Sequence, residues 1–281
     1  MAFAQSHTDQ TGTTGIAHKE FLLRVQSLAE ANGWTTLRYK TDVPASHELI
    51  LQGEGLSGDQ EIFVGLRTYE SSTADYYNLA VAGFTGYVAG NDWASQPGIF
   101  ESGIPAHNQR IDYWLAVNAQ RIAFGLKVGT PVYETGYVGY IKPFANPSQY
   151  PYPLAVIGML GSASATRYSD TAHSVGFKGS RANCRLRWFD GSWKQPQTYP
   201  WNNAHIGGTT SQLRDTNGQY PIMPIQLCDS GNIYGVLDGV GYVSNFNNTV
   251  ESTVSADGSD WVCLQDVGRT SFNDYVALRM S

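Results

Sequence analysis

The sequence predicts a mainly β fold: a β-sandwich or jelly-roll-like core with one N-terminal amphipathic helix and long surface loops. Three observations predict it. Short runs of β-branched and aromatic residues recur along the chain, separated by Gly, Pro, Asn and Asp turn signals. Charged residues make up only 15%, while Gly (30) and Tyr (17) are abundant, a composition typical of short strands with large contact surfaces. Only one segment follows the helical period.

The segment from 111 to 157 gives the clearest strand signal. It predicts strands over 113–117, 120–128 and 132–141, the first two joined by the two-residue loop Asn118-Ala119. In the second strand Ile122, Phe124 and Leu126 alternate with polar or small residues. This alternation predicts one buried and one exposed face.

Residues 1–15 are polar and are predicted to be a flexible N-terminal arm, and residues 16–281 are predicted to form one β-rich domain with a candidate sub-boundary near 153–162. A helix is expected over 16–31, where Phe21, Val25 and Leu28 follow the 3.6-residue period. Asn32-Gly33 supplies its C-terminal stop. The apolar face of this helix must lie on a sheet or on a neighbouring subunit.

Three irregular segments lie between the remaining predicted strands. Loops are expected over 88–109, 158–180 and 198–218, and loops of this length in compact domains are usually functional or interfacial. The strands are expected at 34–39, 48–52, 61–69, 78–87, 185–188, 220–228, 233–237, 240–243, 260–265 and 275–279.

The charge balance argues against a nucleic-acid-binding protein. The net charge is −6, and Lys and Arg total only 18, whereas a protein that neutralises phosphates normally carries a basic patch. The densest basic cluster, Arg181, Arg185 and Arg187, is interpreted as a solvated face, with an anion-binding or partner-facing edge as the alternative. No specific nucleic-acid partner is therefore expected.

Cysteine usage indicates assembly in a reducing compartment, and hydropathy indicates no signal region and no membrane span. Cys184, Cys228 and Cys263 are widely spaced among apolar neighbours, which predicts buried free thiols. The first residues show neither a basic nor an apolar signal region. No run of about 18 apolar residues occurs, so no membrane partner is expected.

No motif for chemistry is apparent, so we expect no enzyme, no cofactor, no metal site and no catalytic residue. The six histidines lack metal-pair spacing, the G-x-S-x-G elbow is absent, and residues 53–59 fit a hairpin loop better than a phosphate cradle. His173 follows Asp170, but any Ser-rich chain offers such a pairing. Glu134 and Asp238 lie beside tyrosines and are interpreted as buried carboxylates satisfied by the backbone or by an arginine. The alternative is a pair for glycoside cleavage.

Several aromatic residues fall in predicted loops and leave two interpretations open. They could stack on sugars, or they could anchor subunit interfaces, where Tyr and Trp are enriched. These residues are Trp93, Tyr168, Trp193, Tyr199 and Trp201.

Blocks of sequence from about Glu48 to the C-terminus carry a family resemblance. They are Tyr113-Trp114 with 117–121, Val132-Tyr133-Glu134 with Tyr137-Val138-Gly139, Tyr150-Pro151-Tyr152-Pro153-Leu154, 61–69 with Asp75-Tyr76-Tyr77-Asn78, and Asn232-Ile233-Tyr234-Gly235 with Leu237-Asp238-Gly239-Val240 and Ala277-Leu278-Arg279. Together they resemble a family of tailed-bacteriophage virion structural proteins found in tail and neck gene clusters. Leu66 and Ala80-Val81 depart from the family pattern, which has a β-branched residue and a charged strand there.

The resemblance implies a non-enzymatic structural subunit of a virion, in the tail, neck (collar) or baseplate region. Its partners would be further copies of itself, in a homo-oligomeric ring, and other tail or neck proteins. Localisation would be the virion, assembled in the host bacterial cytoplasm. The alternatives are a carbohydrate- or host-receptor-binding virion module and a capsid decoration protein. No binding residue is assigned from the sequence.

Overall fold

The computed structural model describes residues 1–43, 46–129, 132–170, 176–177, 183–200, 222–244, 248–265 and 274–281. Within these ranges the chain forms one helix and nineteen strands. In chain order they are β1 (Ala2–Asp9), α1 (Ala17–Glu30), β2 (Trp34–Val43), β3 (Ser46–Gly53), β4 (Ile62–Ser71), β5 (Tyr76–Phe84), β6 (Phe100–Pro105), β7 (Arg110–Asn118), β8 (Arg121–Lys127), β9 (Tyr133–Tyr140), β10 (Lys142–Pro143), β11 (Leu154–Gly158), β12 (Asn183–Arg187), β13 (Trp193–Lys194), β14 (Gln197–Tyr199), β15 (Met223–Cys228), β16 (Ile233–Ser244), β17 (Thr253–Ala256), β18 (Ser259–Gln265) and β19 (Asp274–Arg279).

The strands form three antiparallel sheets. The N-terminal sheet has the order β2-β3-β4-β5-β6, and the central sheet has the order β1-β7-β8-β9-β11-β12-β13. The C-terminal sheet has the order β14-β15-β16-β19-β18-β17, with β10 paired to β16. The predicted mainly β fold with a sandwich core is confirmed, and it contains three sheets.

The central sheet is the middle layer, because alternate residues of its strands enter two different cores. In β7, Leu115 and Val117 pack with α1 and the N-terminal sheet, whereas Trp114 and Ala116 pack with the C-terminal sheet. The prediction of one exposed face for β8 is wrong for this reason. Arg121, Ala123 and Gly125 are buried as well, because the C-terminal sheet covers the second face.

The predicted helix is confirmed as α1, Ala17–Glu30. Phe21 and Val25 are fully buried in the core between the N-terminal and central sheets, and Leu28 packs against it. The Phe21 ring meets Tyr113 edge-on at 5.4 Å between ring centroids. After the helix, the Asn32 side-chain amide donates to the Leu28 carbonyl at 2.8 Å. The apolar face of α1 is therefore covered by sheets of its own chain.

The predicted flexible arm over residues 1–15 is corrected, because Ala2–Asp9 form strand β1 at the edge of the central sheet. Eight residues pair in register with β7, from Ala2 opposite Val117 to Asp9 opposite Arg110. An edge strand is held by backbone hydrogen bonds, which do not depend on the identity of its side chains. A polar sequence can therefore form an edge strand. Thr8 fixes the strand further by donating to the Ala17 carbonyl at 2.9 Å.

The candidate sub-boundary near 153–162 does not divide the sheets. Strand β11 lies inside the central sheet, between β9 and β12. The chain therefore continues one layer through this range. The strands from β14 onward form the C-terminal sheet with β10 and do not return to the earlier ones.

The predicted loop over 88–109 is corrected in its second half, where Phe100–Pro105 form β6 and pair with β5. Trp93 is buried rather than exposed and meets the Phe84 ring edge-on at 5.4 Å. Its indole N–H donates to Glu101 at 2.9 Å, which draws the segment onto the N-terminal sheet. Residues 201–218 of the third predicted loop, and 171–175 and 178–180 of the second, lie outside the described residues.

Candidate functional site

Asp238, one of the two carboxylates considered for chemistry, is buried at the junction of the central and C-terminal sheets. It lies 3.4 Å from Arg121 Nε, and it accepts from Asn118 Nδ2 and Lys142 Nζ at 2.6 Å each. Burial raises the Asp238 pKa, but the Arg121 charge and the Lys142 hydrogen bond outweigh it, so the pKa lies below its usual range. The interpretation of Asp238 as a carboxylate satisfied by an arginine is confirmed.

The other candidate polar residues are dispersed. Glu134 is fully buried in β9, so its carboxyl group is shielded from any substrate in solution. His173 and His205 lie outside the described residues. In the described part of the chain, no group of three His, Cys, Asp or Glu side chains could hold a metal ion.

The most distinctive surface feature is a group of exposed aromatic and aliphatic side chains carried by three connections. Phe144 follows β10, Phe189 lies in the β12–β13 turn, and Ile233 follows the β15–β16 turn. Their side chains are 61%, 61% and 58% exposed. We call the group that lies around Trp188 the aromatic platform; it comprises Phe144, Tyr150, Tyr152, Trp188, Phe189 and Tyr234. The Ile233 side chain points away from that of Tyr234, its neighbour in β16, and is not part of the platform.

Ring contacts join the β12–β13 turn to Tyr150 and to Tyr234 near the start of β16. The Trp188 ring meets Phe189 at 4.5 Å, Tyr234 at 4.6 Å and Tyr150 at 5.9 Å between centroids. Phe144 joins them because its backbone N–H donates to the Tyr234 carbonyl at 3.0 Å. The exposed Phe189 ring therefore packs against Trp188, which in turn packs against Tyr150 and Tyr234.

Polar contacts fix the platform from beneath and at its margin. Tyr150 Oη donates to the Arg187 carbonyl at 2.6 Å, and Tyr234 Oη donates to Asp229. The hydrogen bonds from Tyr234 and from the Gly231 backbone lower the Asp229 pKa to about 2, and the same bonds close the turn around the carboxylate.

Cationic side chains lie over two platform rings. The Arg187 guanidinium lies 4.6 Å from the Tyr152 centroid, and Lys194 Nζ lies 4.2 Å from that of Trp188. Arg185, on the same strand as Arg187, lies over the Phe100 ring at 5.5 Å. The predicted solvated face of Arg185 and Arg187 is therefore half-buried against aromatic rings, and Arg181 lies outside the described residues.

Of the loop aromatics singled out from the sequence, none of the four that the structure describes belongs to the platform. Trp93 is buried, the half-buried Trp193 donates its N–H to the Gly98 carbonyl at 3.0 Å, and Tyr199 ends β14. Trp201 lies outside the described residues, and Tyr168 lines a separate cleft. The missed residues Phe144, Phe189 and Ile233 share one signal, which is a large apolar residue directly beside a Pro, Asp or Asn turn residue.

Comparison with protein-family models and with curated proteins finds no match for this chain. Among the described residues, no helix has both the length and the apolar character needed to cross a membrane.

Proposed function

We propose that this protein is a non-enzymatic structural subunit of a tailed-bacteriophage virion, in the tail, neck (collar) or baseplate region. The aromatic platform carries the proposal. A soluble monomer rarely exposes a contiguous apolar patch of several large side chains, and such patches mark interaction sites. Aromatic residues together with Arg are also the types enriched at the centres of protein interfaces.

The position of the platform supports assembly rather than catalysis. The Trp188, Tyr150 and Tyr234 rings are held by ring contacts and hydrogen bonds, so little of their conformational entropy is lost when a partner covers the platform. Phage-like sequence blocks contribute to it directly, since Tyr150, Tyr152 and Tyr234 belong to those blocks. The partners would be copies of this chain and neighbouring tail or neck proteins.

Ring assembly needs two different complementary surfaces on each subunit. In this proposal the aromatic platform is one of them, and it packs against a neighbouring copy within a homo-oligomeric ring in the virion. The ring would form in the cytoplasm of the host bacterium. A receptor-binding module or a capsid decoration protein would also be part of a virion, but in a different place and number.

The proposal is tested by sedimentation velocity of the purified chain over a range of concentrations. The wild-type protein should form a discrete oligomer, and Phe189→Asp should shift it to monomer without lowering the unfolding temperature, because Phe189 is 61% exposed. Leu56→Asp is the matched control, since Leu56 is 63% exposed but belongs to the β3–β4 connection. It should leave the oligomer intact.

Electron microscopy and mass spectrometry of phage particles that contain the chain decide its place. A ring at the tail, neck or baseplate supports the proposal. Copies spread over the capsid surface would instead identify a decoration protein, and absence from purified particles would refute a virion role altogether.

A further inference from the structure

A second surface, chemically unlike the platform, crosses the start of β7. Three depressions of 450, 230 and 220 Å³ follow one another there. The first and second share Asp112, and the second and third share His107 and Tyr168, so the three adjoin in series as one surface. We call it the polar cleft; its lining includes Gln5, Asp112, Lys127, His107, Tyr168 and Arg167.

The charges that line the polar cleft cancel. Three cationic side chains face three carboxylates, namely Arg110, Lys127 and Arg167 with Asp75, Asp112 and Glu251. Two of the pairs are direct, with Arg110 Nη2 at 2.8 Å from Asp112 Oδ1 and Lys127 Nζ at 2.6 Å from Glu251 Oε1. A polyanion or a polycation would gain little electrostatic attraction here, so the cleft suits an uncharged polar ligand.

Hydrogen-bonding capacity remains on both paired carboxylates. Arg110 Nε and Nη2 both bond Asp112 Oδ1, and Lys127 and Tyr133 both bond Glu251 Oε1. No described residue donates to the second oxygen of either group. Each of these fixed oxygens can therefore accept a hydrogen bond from a ligand hydroxyl.

An aromatic ring completes the cleft. Tyr168 is half-exposed and lines both the second and third depressions. The His107 ring packs against it at 4.8 Å between centroids, and the Gln109 backbone N–H donates to His107 Nδ1 at 2.8 Å, which holds the pair in place. Burial lowers the His107 pKa, so this ring is uncharged at neutral pH.

We propose that the polar cleft binds a neutral oligosaccharide. A pyranose has an apolar C–H face that packs on a fixed aromatic ring such as Tyr168, and hydroxyls that donate to carboxylates such as Asp112 and Glu251. The length of the groove, with three depressions in series, suits several linked sugar units rather than one. This inference goes beyond the assembly role and does not depend on it.

The experiment uses the full chain and a printed panel of neutral oligosaccharides built from glucose, galactose, mannose and N-acetylhexosamine units, with sulfated and sialylated sugars as charged comparators. The tightest-binding neutral probe is then titrated by calorimetry against Tyr168→Ala, Asp112→Asn and the control Leu56→Asp. Both cleft substitutions should weaken binding by about tenfold, the equivalent of one lost favourable contact. Leu56→Asp should bind as the wild type does, and binding should be insensitive to salt because no net charge is involved.

Three outcomes would overturn the proposal: no neutral sugar on the panel binds, only the charged comparators bind, or binding survives both cleft substitutions. Thermal unfolding of Tyr168→Ala and Asp112→Asn shows whether each variant is folded, and the nearly isosteric Asp112→Asn keeps the test valid if Tyr168→Ala is not. Sedimentation of the same two variants separates this proposal from the assembly role, because both should still form the wild-type oligomer.

Discussion

Arg121 Nε lies 3.4 Å from Asp238 Oδ2, and this buried ion pair joins β8 of the central sheet to β16 of the C-terminal sheet. Arg121 is fully buried, and its Nη1 donates to the Ala116 carbonyl at 2.7 Å. Burial lowers the Arg121 pKa, and the Asp238 charge opposes that shift. Lys142 of β10, two residues before the platform residue Phe144, also bonds Asp238. The pair therefore fixes the two sheets that support the aromatic platform.

Removing one partner of this pair should destabilise the folded protein, because the other charge is left buried and unpaired. We expect Asp238→Asn to lower the free energy of unfolding by about 3–5 kcal/mol. Asp112→Asn is the control, since its partner Arg110 is largely exposed and a surface pair contributes less than about 1 kcal/mol. Urea denaturation followed by tryptophan fluorescence measures both. Equal losses in the two variants would show that the buried pair does not hold the sheets together.

Gly239 next to this pair has no room for a side chain. Its φ is +69°, and a Cβ at this position would overlap Arg121 Nη2. Gly258 has a φ of +71° and open space around it, so it carries the same backbone strain without the contact. Substitution by alanine should lower the free energy of unfolding by about 1 kcal/mol at Gly258. At Gly239 it should lower it by at least about 2 kcal/mol more, because the new side chain displaces a buried guanidinium. Similar losses at both positions would contradict the close approach.

The elements that the sequence predicts well are those with a local signal. Phe21 and Val25 recur at the helical period, and the Asn118-Ala119 turn lies between two β-rich runs, so α1 and the β7–β8 hairpin follow from neighbouring residues alone. Strand β1 has no such signal. Its conformation comes from the free edge of β7, more than a hundred residues further along the chain.

The candidate surfaces depend on distances that no local pattern contains. Arg121 alternates with apolar residues and so resembles an exposed strand residue, but Asp238 of the C-terminal sheet covers it. The platform likewise brings together Phe144, Phe189 and Tyr234 from three separate connections. Each has only a large apolar residue beside a turn as its local signal, and the sequence cannot show that the three turns meet.

Acid should destabilise the protein through His18, which is fully buried in α1 with Nε2 at 2.7 Å from Glu70 Oε2. Burial is the main cause that lowers the His18 pKa below 6.5, against the opposing effect of Glu70. Below about pH 6.5 the unfolded chain therefore binds a proton that the folded chain does not, so stability falls as the pH falls. Hydrogen bonds from His18 and Lys19 outweigh the effect of burial and lower the Glu70 pKa as well. The loss of stability therefore continues below about pH 4.5.

The His18 contribution is measured by urea denaturation between pH 7 and pH 5. His18→Gln should reduce the slope of unfolding free energy against pH by up to about 1.4 kcal/mol per pH unit, the value for one proton. The exposed His7 provides the control for the substitution itself, in the variant His7→Gln. Part of the slope should remain in His18→Gln, because burial also lowers the pKa values of His47 and His107. An unchanged slope in His18→Gln would show that folding does not lower the His18 pKa.

The three free cysteines should differ in their reaction with a thiol reagent. Cys184 and Cys263 are buried, and burial raises the Cys184 pKa to about 12. Cys228 is only half-buried at the end of β15, although burial and Asp229 raise its pKa too. The thiolate is the reactive form, so mass spectrometry of native protein should show one slow label, at Cys228, and denatured protein should show three. Cys228→Ser should abolish native labelling. Rapid native labelling of Cys184 would mean that the central and C-terminal sheets separate, because Cys184 lies in the core between them.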